Sequence, residues 1–138
     1  MPILALDVGT KKIGIAYSEN GLLSSEFSTI KSDSEDGLIV QILFLIKQKN
    51  VNKIVIGVPK NMDGSESNQT LIIKNFSDKL AKKVIASDLK IDFYFEDETL
   101  TTKEAERILF SRGKSVEEVR ERRDQLAAKI ILDQYLDR

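Results

Sequence analysis

From Ile3 to Asp7 the chain runs through apolar residues (ILAL) and closes the run on a carboxylate. Gly9-Thr10-Lys11-Lys12 has turn composition, and IGIAYSE (Ile13 to Glu19) resumes the pattern, which predicts two strands joined by a tight turn. Asn20-Gly21 predicts a two-residue hairpin of type I′, with positive φ at both residues, leading into a third strand from Leu22 to Ile30. The chain therefore opens as a three-stranded antiparallel meander. Behind acidic residues suited to a first turn, Leu38, Ile42, Leu45 and Ile46 recur at helical spacing. KIVIGV (Lys53 to Val58) is almost continuously β-branched, as in a parallel strand covered on both faces.

PKNMDGSES, Pro59 to Ser67, is a loop rich in turn formers, and a helix is predicted from Asn68 to Ala86. Its inner face is expected to carry Leu71 or Ile72, Phe76, Leu80 and Val84. Ile91 to Phe95 predicts a fifth strand. Thr101 with Glu104 forms a capping box for a helix that Gly113 closes, and Ser115 with Glu118 repeats the pattern before a last helix reaching Leu136. The order βββαβαβαα predicts one α/β domain over residues 1–138, a mixed five-stranded sheet flanked by helices.

A chain of 138 residues can bury roughly two-thirds of its unfolded surface, enough for one core. Its net charge of −1 gives no bulk attraction to nucleic acid, so any basic footprint has to be local. The absence of cysteine excludes disulfides, thiolate metal sites and cysteine nucleophiles, and fits a cytoplasmic location. The absence of histidine excludes Ser-His-Asp triads, Cys-His pairs and histidine-ligated zinc. Chemistry falls to carboxylates, hydroxyls, Lys, Arg or an oxygen-ligated metal. Asp7 interrupts the short N-terminal apolar run, and no basic segment precedes it as in a signal peptide. Leu38 to Ile46, broken by Gln41, is too short to span a bilayer, so a soluble protein without membrane partners is expected.

Three acids stand where the pattern does not require them. Asp7 at a strand end is either a turn former or a placed ligand. Glu98 lies just beyond the fifth predicted strand, and the carboxyl ends of parallel strands are the usual site of chemistry. A solvated acid ahead of a helix is the plainer alternative, and spacing does not separate Glu98 from Glu96 and Asp97. Asp124 falls inside the last helix on one stripe with Ala127, Ala128, Ile131 and Tyr135. The two alanines let that helix approach the sheet closely. Burying Asp124 alone would cost several kcal/mol, so it requires a cation or a strong hydrogen-bond network. Convergent carboxylates in a chain without histidine suit Mg²⁺ or Mn²⁺, and such a centre suits phosphodiester hydrolysis.

LALDVGTKKIGIAYSE, IGVPKNMDGSES, DETLTTKEAE at 97–106 and DQLAAKIILDQYL fall in the order and spacing of the YqgF family. The chain resembles these RuvC-like proteins, described as Holliday junction resolvases and as nucleases of the 5′ end of pre-16S rRNA, over essentially its whole length. The resemblance implies an RNase H-like fold and a catalytic, metal-binding set of Asp7, Glu98 and Asp124, which settles Glu98 against its neighbours. It implies pre-rRNA as substrate with branched DNA second, ribosomal particles as partners, and a monomer or homodimer. Thr99 stands where the family usually has Arg, and SESNQT (Ser65 to Thr70) lacks the Gly and Arg common in the family loop.

Lys11 and Lys12 in the first turn are the cations nearest Asp7 for a phosphate backbone. Arg112, Lys114, Arg120 and Arg123, with Arg107 and Arg122, concentrate before and around Asp124, either as a phosphate track or as a solvated face balanced by Glu117, Glu118 and Glu121. Asn61 either touches substrate or shapes its loop. No aromatic-rich stacking platform is evident, so recognition by backbone and shape is expected. Two other readings compete. DVGT followed by a hairpin also resembles the first phosphate motif of actin-like ATPases, which need a second domain this length does not hold. A non-catalytic nucleic-acid-binding or ribosome-associated module is the other.

Overall fold

The computed structural model describes residues 1–59, 68–98 and 101–137, apart from the side chains of Glu98, Thr101 and Thr102. Its elements follow the predicted order: β1 (Ile3–Val8), β2 (Lys12–Ser18), β3 (Ser25–Lys31), α1 (Glu35–Lys49), β4 (Lys53–Pro59), α2 (Asn68–Ala86), β5 (Asp92–Glu98), α3 (Thr101–Ser111) and α4 (Val116–Leu136). They build a five-stranded sheet in the order β3-β2-β1-β4-β5. The β1/β2 and β2/β3 pairs are antiparallel, and β1/β4 and β4/β5 are parallel. Among the described residues, no helix is long and apolar enough to cross a membrane.

Strand alternation divides the core between the two faces of the sheet. Leu4, Leu6, Ile13, Ile15, Ile54 and Ile56 meet Ile42 and Ile46 of α1 and Phe76 and Leu80 of α2. On the opposite face Ile3, Ala5, Ala16 and Val55 meet Ala128, Ile131 and Leu132 of α4. Thus β4 is covered on both sides, as its β-branched run predicted. A third, smaller cluster joins α3 to α4 through Ala105, Leu109, Val119, Leu126 and Ala127. The register slips between Ile15, opposite Ser28, and Ala16, opposite Glu26, so Phe27 is an extra residue on the edge strand β3.

Side chains close the helix ends. The Ser34 hydroxyl accepts from the Gly37 N–H at the start of α1, and Asn50 ends that helix in the left-handed region at φ 53°. Ser115 and Glu118 form the predicted capping box ahead of α4.

Three expectations are corrected. The type I′ hairpin at Asn20-Gly21 does not form: Gly21 has positive φ (77°), whereas Asn20 does not, and residues 19–24 connect β2 to β3. Side chains have captured the backbone there. Asn20 Oδ1 accepts from the N–H groups of Leu22 (2.8 Å) and Leu23 (3.1 Å), and the Gly21 N–H donates to Ser18 Oγ at 3.0 Å. On α2 the buried residue is Ile73, whereas Leu71 and Ile72 are exposed. Two hydroxyls turn the phase: Thr70 donates to the Pro59 carbonyl at 3.1 Å, and buried Ser77 donates to the Ile73 carbonyl at 2.8 Å, so polar residues occupy inward positions. Finally, β5 extends past Phe95, and Glu98 is its last residue. Parallel pairing with β4 continues to Pro59, opposite Glu98, and carries the strand that far.

The capping box generates a pH dependence. Hydrogen bonds from the Ser115 backbone and hydroxyl hold the Glu118 carboxyl below its ordinary value of 4.5. A depressed folded-state value stabilises the protein above the unfolded-state pKa and is lost as pH falls through the folded one. Between about pH 5 and pH 3, the melting temperature of the wild type should therefore fall more steeply than that of Glu118→Gln, measured by circular dichroism.

Candidate functional site

Asp7 is the penultimate residue of β1, at the carboxyl end of the parallel strands. Leu6 and Val8 on either side belong to the α1/α2 cluster, so alternation puts Asp7 on the α4 side with Ile3 and Ala5. Directly opposite it in the antiparallel ladder is Gly14. A Cβ on Gly14 would stand 2.0 Å from the carbonyl oxygen of Asp124 and 2.9 Å from its Cβ. The helix backbone at Asp124 therefore rests on a position opposite Asp7 that carries no side chain. This contact sets the backbone of the last predicted acid against the ladder partner of the first. The sequence reading missed Gly14; its signal was a glycine interrupting an otherwise apolar strand.

Asp124 is nearly buried, with 14% of its side chain exposed, and Lys12 Nζ lies 2.9 Å from its Oδ2. The ammonium approaches outside hydrogen-bonding geometry, so this oxygen accepts no hydrogen bond among the described residues although a cation touches it. The required cation is thus the Lys12 assigned above to phosphate. Of the stripe named with Asp124, Ala128 and Ile131 face the sheet, whereas Ala127 packs against α3.

Along β5, the ladder aligns Leu6 with Ile56 and Ile56 with Phe95. The β1/β4 pairing ends there, while the β4/β5 ladder continues with Gly57 opposite Glu96. Glu98 follows two positions beyond Glu96, opposite Pro59, roughly 6.6 Å higher along the strand. Of its rivals, Glu96 is buried at 2% exposure and Asp97 is exposed. Among the described residues no three acids gather closely enough to hold a metal ion, and the Glu98 side chain is outside that set. The donors the chain offers are oxygen alone. They fit a hard divalent cation, and the buried, hydrogen-bond-free Asp124 oxygen is the strongest mark of that fit.

Beside this pair the first turn opens onto a cleft of about 660 Å³ lined by Gly9, Thr10, Lys11, Lys12, Lys31 and Ser32, with Asp33 at its side. The Gly9 N–H donates to the Lys12 carbonyl at 2.9 Å and closes the turn. Lys11 and Lys31 are exposed there. The other predicted cations divide. Arg112 and Arg120 are exposed, whereas Lys114 pairs with Glu118 (3.7 Å) and Arg123 with Glu106 (3.3 Å). Arg122 reaches Glu26 of β3 at 3.0 Å, and Arg107 lies 3.8 Å from Glu104. Asn61 falls outside the described residues.

A model of the RuvX family, described as Holliday junction resolvase, matches residues 1–138. A Bacillus cereus (strain B4264) protein named "Putative pre-16S rRNA nuclease" is 40% identical, covering 100% of this chain and 99% of its own. A Lactococcus lactis subsp. cremoris (strain MG1363) protein of the same name is 37% identical, covering 98% and 93%. In fold the chain is similar to Thermus thermophilus RuvC in complex with Holliday junction substrate, at TM-score 0.56 and 12% identity, covering 99% of this chain and 96% of that one.

Two substitutions test this geometry. Gly14→Ala drives a methyl into helix backbone that has no flexible end to move aside, and should cost about 3 kcal/mol in urea unfolding. Lys12→Met strands the Asp124 carboxylate. Discounted for the 39% exposure of Lys12, the loss should be about 1–2 kcal/mol in metal-free buffer. Added Mn²⁺ should then raise the melting temperature of Lys12→Met more than that of the wild type, because no ammonium competes for the carboxylate.

Proposed function

Since the chain belongs to the RuvX (YqgF) family, we propose that it is a metal-dependent nuclease that hydrolyses phosphodiester bonds in precursor 16S rRNA. The observation that supports this reading is the approach of α4 onto Gly14, the ladder partner of Asp7, with the Asp124 carboxylate 2.9 Å from Lys12, one of the lysines that line the cleft at the first turn. The RNA assignment is supported by relatives at 37% and 40% identity that bear a pre-16S rRNA nuclease name. Branched DNA is the second reading, supported by the family's description as Holliday junction resolvase.

In this reading Asp7, Glu98 and Asp124 hold one or two Mg²⁺ or Mn²⁺ ions. When bound, the metal lowers the pKa of water and stabilises charge on the attacking and leaving oxygens. The protein's own groups do the rest. Lys11 and Lys31 draw the phosphate backbone into the cleft, where sequence-independent charge contacts position it. Gly9 carries no Cβ, which would stand 2.8 Å from the Lys12 carbonyl oxygen, and so lets the turn close. Lys12, with its Nζ 2.9 Å from Asp124 Oδ2, orients that carboxylate. The packing of α4 on β2 at Asp124 limits water around the carboxylate and strengthens its field.

The test is cleavage of labelled precursor 16S rRNA and of a four-way DNA junction by the purified protein with Mg²⁺ or Mn²⁺. Asp7→Asn, Glu98→Gln and Asp124→Asn should each lower cleavage at least a hundredfold while leaving RNA binding in EDTA within about threefold, on the scale of losing a transition-state contact. Cleavage of the junction alone transfers the assignment to branched DNA. Binding without cleavage of either substrate overturns the nuclease reading in favour of a binding module.

A further inference from the structure

At the opposite end of α4 from Asp124 lies a hollow of about 500 Å³, lined by Asn20, Asn52, Lys53, Tyr94, Tyr135 and Leu136 among others. It sits where β1 and β4 begin, far along the sheet from the acids. Eleven residues of helix separate Asp124 from Tyr135, a rise of roughly 16 Å. The hollow is within the size range of small-molecule sites.

Its lining is chemically particular. The rings of Tyr94 and Tyr135 meet edge to face, with centroids 4.8 Å apart and planes at 60°. Lys53 Nζ lies 5.1 Å from the Tyr135 ring centroid and donates a hydrogen bond to its hydroxyl, which fixes ring and ammonium together. Tyr94 keeps 37% of its surface exposed, so part of the ring is open for stacking. Lys53 is the only charged side chain among the described residues of the lining.

We propose that this hollow is a slot for one base of single-stranded nucleic acid. The base stacks on Tyr94, and its phosphate meets Lys53. Aromatic faces take any base, and an ammonium at the rim of the rings suits a phosphate. The proposal rests on the nuclease reading and deepens it: a strand held at the acids and followed along α4 reaches the slot, which selects substrates with an unpaired extension. The pair of rings also revises the expectation that no aromatic platform exists, since Tyr94 and Tyr135 meet only in the fold.

Fluorescence anisotropy in EDTA with an end-labelled eight-nucleotide single-stranded RNA tests it. Tyr94→Ala should weaken binding about tenfold and Tyr94→Phe should retain it. Lys53→Met should reduce the dependence of log Kd on log salt by about one contact. A blunt duplex should bind all these proteins alike, and circular dichroism melts confirm that each variant is folded. Adenosine monophosphate should shift the Tyr94 and Tyr135 ring resonances of the wild type. The slot is overturned if folded Tyr94→Ala and Lys53→Met both bind the single strand as the wild type does. Asp7→Asn separates the two readings: it should abolish cleavage and leave slot binding intact. A wild type that cleaves nothing yet loses single-strand binding on Tyr94→Ala overturns the nuclease reading and retains the slot.

Discussion

The position of α4 depends on a Cβ that is not there. Gly14 allows the helix backbone at Asp124 to lie against β2, where any other residue would place an atom 2.0 Å from a carbonyl oxygen. From that point the side chains between helix and sheet grow along α4, from Ala128 through Ile131 and Leu132 to Tyr135. On the strands beneath, Ala5 and Ala16 keep the crossing narrow. Small residues at one end and large ones at the other fix both the height and the tilt of the helix. Because Gly14 is the ladder partner of Asp7, the constraint that docks α4 also determines which strand residue Asp124 faces.

Charge then orients what packing has brought together. The chain has nearly equal numbers of acids and bases, and around α4 they are paired between elements. Arg122 reaches β3 through Glu26, Arg123 reaches α3 through Glu106, and Lys12 of β2 reaches back to Asp124. Partly exposed pairs of this kind contribute little stability each, typically under about 1 kcal/mol. Their effect is directional: they hold the helix at three points around one turn and limit its rotation. They also engage Lys12, Arg122 and Arg123, which the sequence offered as cations for phosphate, whereas Lys11 and Lys31 stay exposed beside the first turn and Arg112 and Arg120 stay exposed near α4.

The order of elements was legible because each carries its own local signal: β-branched runs, helical spacing, and the Ser115–Glu118 box. Misreadings arose where side chains compete with the backbone. Asn20 carries the sequence mark of a hairpin, yet its amide oxygen captures two N–H groups that a ladder would have used. Thr70 and Ser77 turn inward on α2 because each finds a carbonyl, which no hydropathy pattern records. At the candidate site the acids could be named from resemblance, and the stripe on the last helix singled out Asp124. What joins Asp124 to Asp7 is an absence, and a glycine within a strand can equally mark a bulge or a weak point. The Lys12 partner was hidden for a different reason. A lysine in a turn looks solvated until a helix more than a hundred residues later is placed over it.

Both polar features of this face follow from the same helix. Its N-terminal half delivers a carboxylate to Gly14 of β2, the ladder partner of Asp7 at the carboxyl end of β1. Its C-terminal turns deliver Tyr135 to the opposite edge of the sheet, where Lys53 opens β4 and Tyr94 stands on β5. Between them the interface is apolar and fully buried, with Ala128, Ile131 and Leu132 sealed against β1, β2 and β4. A close-packed stretch of this kind transmits displacement rather than absorbing it. The spacing between acid site and aromatic hollow is therefore a property of one rigid element, set at Gly14. A change that lifts α4 from the sheet there must alter the geometry at both ends together.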